Sequence, residues 1–218
     1  MAGLGLTPSD FGLFGITDPD ERTIALEGKL LPTLVTLGEG CLSGLGRVVG
    51  RTLLLHPVKP PRRKGVAPEE VRVAFSDTSK GIRGVPHLAI VATRDHLHAR
   101  VAVRGDSPRR AAMRAALERE AANLARKGKP FRRLRAFHGW NFEELPELAP
   151  AHSAAFWVEL GDELAPDRDG FDVGVSWPRE DARSIALGDL LGVFRDLAPL
   201  YKLLAAAEAA ANGDAPPA

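Results

Sequence analysis

Residues 52–93 read TLLLHPVKPPRRKGVAPEEVRVAFSDTSKGIRGVPHLAIVAT, three short apolar runs separated by two connections rich in Lys and Arg. Runs of this length, bounded by Pro and Gly, predict strands over 52–58, 71–76 and 87–93. A fourth run, 96–104, alternates. His96, His98, Arg100 and Ala102 fall on one face and Leu97, Ala99, Val101 and Val103 on the other. That pattern predicts a half-buried antiparallel strand, joined to its predecessor by a tight turn at Arg94-Asp95. His56 closes the first apolar run and His87 opens the third. The connections beside them hold Lys59, Arg62, Arg63, Lys64, Lys80 and Arg83. These eight residues are the candidate ligand contacts of a basic loop surface.

Outward from this core, Thr7-Pro8-Ser9-Asp10 and Asp18-Pro19-Asp20-Glu21 both read as a cap, a proline in the first turn and an early acid, so two helices start there. The second carries Ile24, Leu26, Leu30, Leu34 and Leu37 through Pro32, which predicts a kink or break near Leu31. Ser107-Pro108 opens a helix that runs to about Lys127 with Met113, Leu117, Ala121 and Leu124 on its buried stripe. Alternation predicts further strands over 156–160 and 171–177. A long C-terminal helix begins near Arg179, with a stripe of Ile185, Leu187, Leu190, Leu191, Phe194, Leu197 and Tyr201 and a bend from Pro199. The expected fold is therefore α+β: one domain over 1–206, a mainly antiparallel sheet of five to six strands covered by helices, and a disordered Ala/Pro-rich tail over 207–218.

Composition agrees with a globular chain. Its 218 residues are 44% hydrophobic and 26% charged, enough for one core. No apolar run approaches the ~20 residues of a membrane span, and the first residues lack a secretory pattern, so a cytoplasmic location without a membrane partner is expected. The single cysteine, Cys41, reads as a packing residue. The net charge of +1 conceals a polarity: residues 1–93 have 11 basic and 9 acidic residues, 94–135 have 13 and 4, and 136–218 have 5 and 15. The middle segment either binds a polyanion or is neutralised by the acidic third of the same fold.

Motifs for named chemistry fail. The glycines over 38–50 have a spacing like that of dinucleotide loops but follow a helix and precede a strand, the wrong order for phosphate binding. Glu143, Glu144, Asp167 and Asp169 read as solvated loop acids. HGWNFEEL, around His138 and Trp140, offers either base stacking or a tryptophan at the edge of the core. His96 and His98 project to one side and could share a metal only with a third donor; on a solvated strand face they need none. No metal or cofactor is expected, and no catalytic residue is identifiable.

The segments FGLFGI, KLLPTLVTLGE, LLHPVKPPRRKGVAPEEVRVAF, KGIRGVPHLAI and LAPLYKLL, in that order and spacing over about residues 6–204, resemble the YktB-like bacterial proteins, a domain of unknown function. The resemblance implies a compact α+β domain with a mainly antiparallel sheet and brings no reaction, cofactor or catalytic residue. It also implies aromatic residues where this chain has Arg72 and Ile82.

Two functions fit these observations. One is a noncatalytic domain that binds RNA or single-stranded DNA through the basic loops. The other is a binding protein or enzyme for a small phosphorylated or carboxylated ligand, with His56 and His87 as acid and base groups. A concave, water-excluded site at His87 favours the second, and a flat basic face the first. Replacing Arg62 and Arg63 together by alanine weakens either ligand and leaves the thermal midpoint nearly unchanged. Unfolding of that double variant would make the connection structural.

Overall fold

Thr7 caps the first helix as its sequence requires. Its backbone N–H and its hydroxyl both donate to Asp10 Oδ2, at 2.7 and 2.8 Å, across α1 (Pro8–Phe11). Asp18 likewise accepts from the amides of Asp20 and Glu21 at the start of α2 (Pro19–Ala25). These caps occupy amide groups that a helix start leaves without partners. The computed structural model describes residues 5–60, 65–127, 135–136, 153–166, 168 and 170–213.

Pro32 does not break the second helix. The chain passes through a π turn over Leu26–Leu30, in which the Leu31 amide donates to the Leu26 carbonyl five residues back, and then continues as α3 (Leu31–Val49). One wide turn just before the proline absorbs its missing N–H and its ring. The glycines over 38–46 belong to α3 and do not form a loop. A Cβ on Gly38 would lie 2.7 Å from Leu55 Cδ1, and one on Gly44 would lie 2.8 Å from Leu191 Cδ1. Their absent side chains let α3 approach the sheet on one side and the last helix on the other.

The six strands among the described residues are β1 (Leu54–Val58), β2 (Glu70–Ser76), β3 (His87–Thr93), β4 (His96–Arg104), β5 (Arg135–Ala136) and β6 (Gly170–Pro178). They form one sheet in the order β1-β2-β3-β4-β6-β5, with every neighbouring pair antiparallel. The α+β class and the antiparallel sheet are those expected. Val71, Val73 and Phe75 of β2, Leu88 and Ile90 of β3, Leu97, Ala99 and Val101 of β4, and Val173 and Val175 of β6 are buried in the main core. Against that face pack α3 and the long α6 (Leu187–Asn212), where Phe194 meets Phe75 edge-on with ring centroids 6.2 Å apart. α4 (Arg110–Lys127) packs on α6 and buries Met113, Leu117, Ala121 and Leu124.

Three sequence expectations change. Residues 156–160 are not a strand but lie in α5 (Ala154–Asp162), which packs on α4. Phe156, Trp157, Leu160 and Leu164 are buried while Val158 is exposed, so the helical spacing outweighs the apparent alternation. The last helix begins at Leu187, after a short 3-10 turn over Arg179–Asp181. β4 is buried on both faces apart from its ends, and is not half-solvated. No helix among the described residues is long and apolar enough to cross a membrane.

Gly174 faces Arg100 across the β4–β6 pair, and a Cβ there would stand 2.0 Å from the Ala99 carbonyl oxygen and 2.8 Å from Arg100 Cα. Backbone cannot swing aside as a side chain can. Gly174→Ala therefore lowers unfolding free energy by about 3 kcal/mol or more in urea titration. An unchanged midpoint would show that β4 and β6 tolerate a wider spacing.

Candidate functional site: a buried polar face of the sheet

The face turned away from α3 and α6 is built from short side chains and charges. In register across it stand His56, Ala74, Ala89, Arg100 and Gly174, and in a neighbouring row Val58, Arg72, Val91, His98 and Ser176. In a third row His87 pairs with Ala102, which pairs with Asp172. The alanines and the glycine form a low floor on which long side chains have room to lie. Over it folds the connection between β2 and β3, whose Ile82 packs with Ala74, Ala89 and Val91 in a small second apolar cluster.

Two arginines and two acids meet on this floor. Arg72 Nε donates to Glu70 Oε1 at 2.6 Å, with a second contact from Nη2 to the same oxygen. Arg72 Nη2 also lies 3.7 Å from Asp172 Oδ2, although β2 and β6 are separated by two strands. Arg100 Nη1 donates to Asp172 Oδ2 at 3.0 Å and lies 4.0 Å from Glu70 Oε2. The Arg100 side chain has no exposed surface; those of Arg72 and Asp172 retain 11% and 18%. Burial opposes the charge on both guanidiniums. At Arg72 the carboxylates of Glu70 and Asp172 outweigh that cost and raise its pKa, whereas at Arg100 burial prevails and lowers it.

The histidines divide into two kinds. His98, expected on a solvated face, is fully buried, with Nδ1 2.8 Å from Ser176 Oγ and Nε2 3.2 Å from Thr93 Oγ1. Burial, then the charges of Arg100, His96 and Arg72, hold its pKa well below the usual range. His96 and His98 lie with ring centroids 5.7 Å apart, but both nitrogens of His98 face hydroxyls. Among the described residues no three His, Cys, Asp or Glu side chains are placed to hold a metal ion.

His87 is also fully buried, but only one of its nitrogens is bonded among the described residues. Nδ1 lies 3.2 Å from the Val85 carbonyl, which can only accept, so Nδ1 carries the proton and Nε2 presents its lone pair. Nε2 is buried and meets no donor among those residues. Burial first and the charge of Arg72 second push the His87 pKa down to about 3; the Val85 bond opposes them, while Arg104 and His56 add to them. The half-buried His56 has Nε2 2.9 Å from the hydroxyl of buried Ser76, which also lies 3.2 Å from the Thr78 and Gly81 carbonyls. His56 is thereby tied to the connection that covers the floor.

Successive connections of an antiparallel meander lie at opposite ends of the sheet. Lys80 and Arg83 stand at the His87 end, both exposed, with 83% of the Arg83 side chain accessible and its Nε 3.3 Å from Asp106 Oδ2. Lys59, also exposed, follows β1 at the other end, about 20 Å away along the seven residues of β2. Arg62, Arg63 and Lys64 lie outside the described residues, as do His138, Trp140, Glu143, Glu144, Asp167 and Asp169. The structure thus gathers His56, Lys80, Arg83 and His87 toward one end and leaves Lys59 apart from them.

Many cations of the basic middle segment have partners. Arg100 is paired with Asp172, Arg104 with Asp106, and Arg114 with Glu118 and Asp162. Arg94 donates to the Phe14 carbonyl, and Arg110 to those of Ala165, Pro166 and Arg168. Asp162 and Asp172 come from the acidic third of the chain.

An antiparallel sheet with helices on one face and a buried ionic cluster on the other defines an α+β protein with a polar interior site. Residues 6–201 match the family described as a domain of unknown function, DUF1054, and the chain belongs to it. It is similar to a UPF0637 protein of Macrococcus caseolyticus, 29% identical over 57% of this chain and 61% of that protein, and to one of Oceanobacillus iheyensis, 30% identical over 43% and 45%. A UPF0637 protein of Staphylococcus aureus is 33% identical over 41% of this chain and 44% of its own length. The matches span about half the length of these relatives.

Glu70, Arg72, Arg100, Asp172 and Ser176 were not among the sequence candidates. Their signal was polar residues recurring within β2, β4 and β6 at positions an alternating pattern assigns to one face. The depressed His87 pKa has a consequence for stability. With a folded pKa near 3 and an unfolded one near 6.5, the unfolded chain takes up the proton first as pH falls. The stabilisation from neutral His87 is complete above about pH 6.5 and declines by about 1.4 kcal/mol per unit toward pH 3. Urea titrations at pH 7 and pH 5 give a smaller loss in His87→Leu than in the parent. Equal losses would mean that this ring is protonated in the fold.

Proposed function

We propose that the protein binds a small anionic molecule on the polar face of the sheet, near His87, with His56 and His87 as the acid and base groups beside it. The observation that carries this reading is the convergence of two desolvated guanidiniums, Arg72 and Arg100, over a floor of small side chains, on the face that also holds a neutral imidazole with a buried lone pair. A guanidinium withdrawn from water interacts with an anion far more strongly than an exposed lysine does. Glu70 and Asp172 balance these two charges, while Arg72, Arg104 and His56 all oppose protonation of the His87 ring. The partial exposure of Arg72 and Asp172 gives the cluster a rim at the surface.

A second reading, a binding surface for RNA or single-stranded DNA, is favoured by the exposed Lys59, Lys80 and Arg83. The two readings differ in their response to salt, since a strand releases several counterions and one small anion displaces few. Calorimetry with inorganic phosphate and anisotropy with labelled single-stranded RNA, each over a range of salt, separate them. The expected result is saturable phosphate binding with a shallow salt dependence, weakened about tenfold in Arg72→Lys, which keeps the charge and loses the planar fork. RNA binding with a steep salt slope and no response to phosphate would replace this reading by the second.

A further inference from the structure

Three acceptor atoms on the polar face are buried and hydrogen-bonded to no group among the described residues: Glu70 Oε2, His87 Nε2 and Asp172 Oδ1. The two oxygens belong to carboxylates, and Nε2 presents a lone pair because Nδ1 donates to the Val85 carbonyl. Buried polar groups in native proteins are almost always paired, so three such acceptors on one face mark a place where a donor belongs. A bare anion at the arginines cannot supply one.

The surroundings select the kind of donor. His87 Nε2 is fully buried and Arg72, Arg104 and His56 all disfavour added positive charge at its ring, so a neutral hydroxyl suits that position better than an ammonium group. The placement selects the shape. His87 and Asp172 flank Ala102 in register, so their free acceptors rise on either side of one methyl group. Glu70 Oε2 lies 4.0 Å from the Arg100 Nη1 that also holds Asp172 Oδ2 at 3.0 Å. The two carboxylates therefore border the guanidiniums, His87 stands two strands from Asp172 in the same row, and one molecule with an anionic group and several hydroxyls would meet both sets.

We propose that the ligand is a polyhydroxylated anion of the sugar-phosphate or sugar-acid type, its anionic group at Arg72 and Arg100 and its hydroxyls donating to His87 Nε2, Asp172 Oδ1 and Glu70 Oε2. This rests on the small-anion reading and names its chemistry. Two matched pairs of probes test it by calorimetry: inorganic phosphate against ribose 5-phosphate, and acetate against gluconate. The expected result is a gain of about tenfold or more within one pair, the size given by two hydrogen bonds of ordinary strength. A gain with ribose 5-phosphate makes the anionic group a phosphate, and a gain with gluconate makes it a carboxylate. In His87→Asn, whose amide still donates to the Val85 carbonyl but has no group at the Nε2 position, the ratio of hydroxylated to bare anion affinity shrinks. Bare anions that bind as well as their hydroxylated partners overturn this inference and leave the small-anion site standing. No binding of any of the four overturns both. If the variant does not fold, the ratios measured on the parent decide.

Discussion

The pairing of Arg100 with Asp172 on the far side of the sheet is the constraint on which the architecture turns. A guanidinium with no exposed surface costs several kcal/mol in lost hydration, and only close carboxylates offset it. Removing one partner of such a pair typically costs about 3–5 kcal/mol, because the other charge is left buried alone. β4 and β6 must therefore pair in a register that sets Arg100 opposite Gly174, where no side chain obstructs the guanidinium on its way to Asp172. Glu70 and Arg72 extend the same network to β2, and Ala89 beneath them leaves space for it. The two faces of one sheet thus follow different rules. Packing of branched apolar side chains holds the helical side, and charge compensation over small residues holds the other.

That division explains what could be read from the sequence. The strands were legible because Pro, Gly and the Arg94-Asp95 turn bound them sharply, and β3 and β4 fall where the pattern put them. Alternation correctly placed His98 and Arg100 on the same face, but it reports polarity, not exposure. Only the long-range partner, Asp172, seventy-two residues from Arg100, turns that polar face into an interior. The glycines of α3 were misread for a related reason. Proline and glycine disfavour helix locally, yet the packing of α3 on Leu55 and Leu191 needs those glycines where they are.

The block charges along the chain have a similar resolution. Sequence order places thirteen cations in 94–135 and fifteen acids in 136–218. In space, Asp162 and Asp172 of the acidic segment pair with Arg114 and Arg100 of the basic one, and Arg179 pairs in the reverse sense with Asp95. Arg110 acts through its fork of donors, fastening the chain after α5 by three carbonyls. Arg119, Arg126 and Lys127 remain exposed on the outer side of α4. Net charge by segment therefore overstates the field of the folded protein, and counting only cations without partners gives the better measure.

The contrast between His98 and His87 separates a completed polar environment from an open one. Both rings are buried, both are kept neutral first by desolvation and then by neighbouring positive charges, and they stand on adjacent strands of one face. His98 has a hydroxyl at each nitrogen, Ser176 on one side and Thr93 on the other, so its environment is complete and its role is to join β3, β4 and β6. His87 has one backbone carbonyl and, among the described residues, no donor for its second nitrogen. A structural histidine in a core gains from satisfying both nitrogens, and the same sheet does so a few residues away. An open lone pair at His87, on the same face as two carboxylate oxygens in the same condition, therefore sets this ring apart from His98.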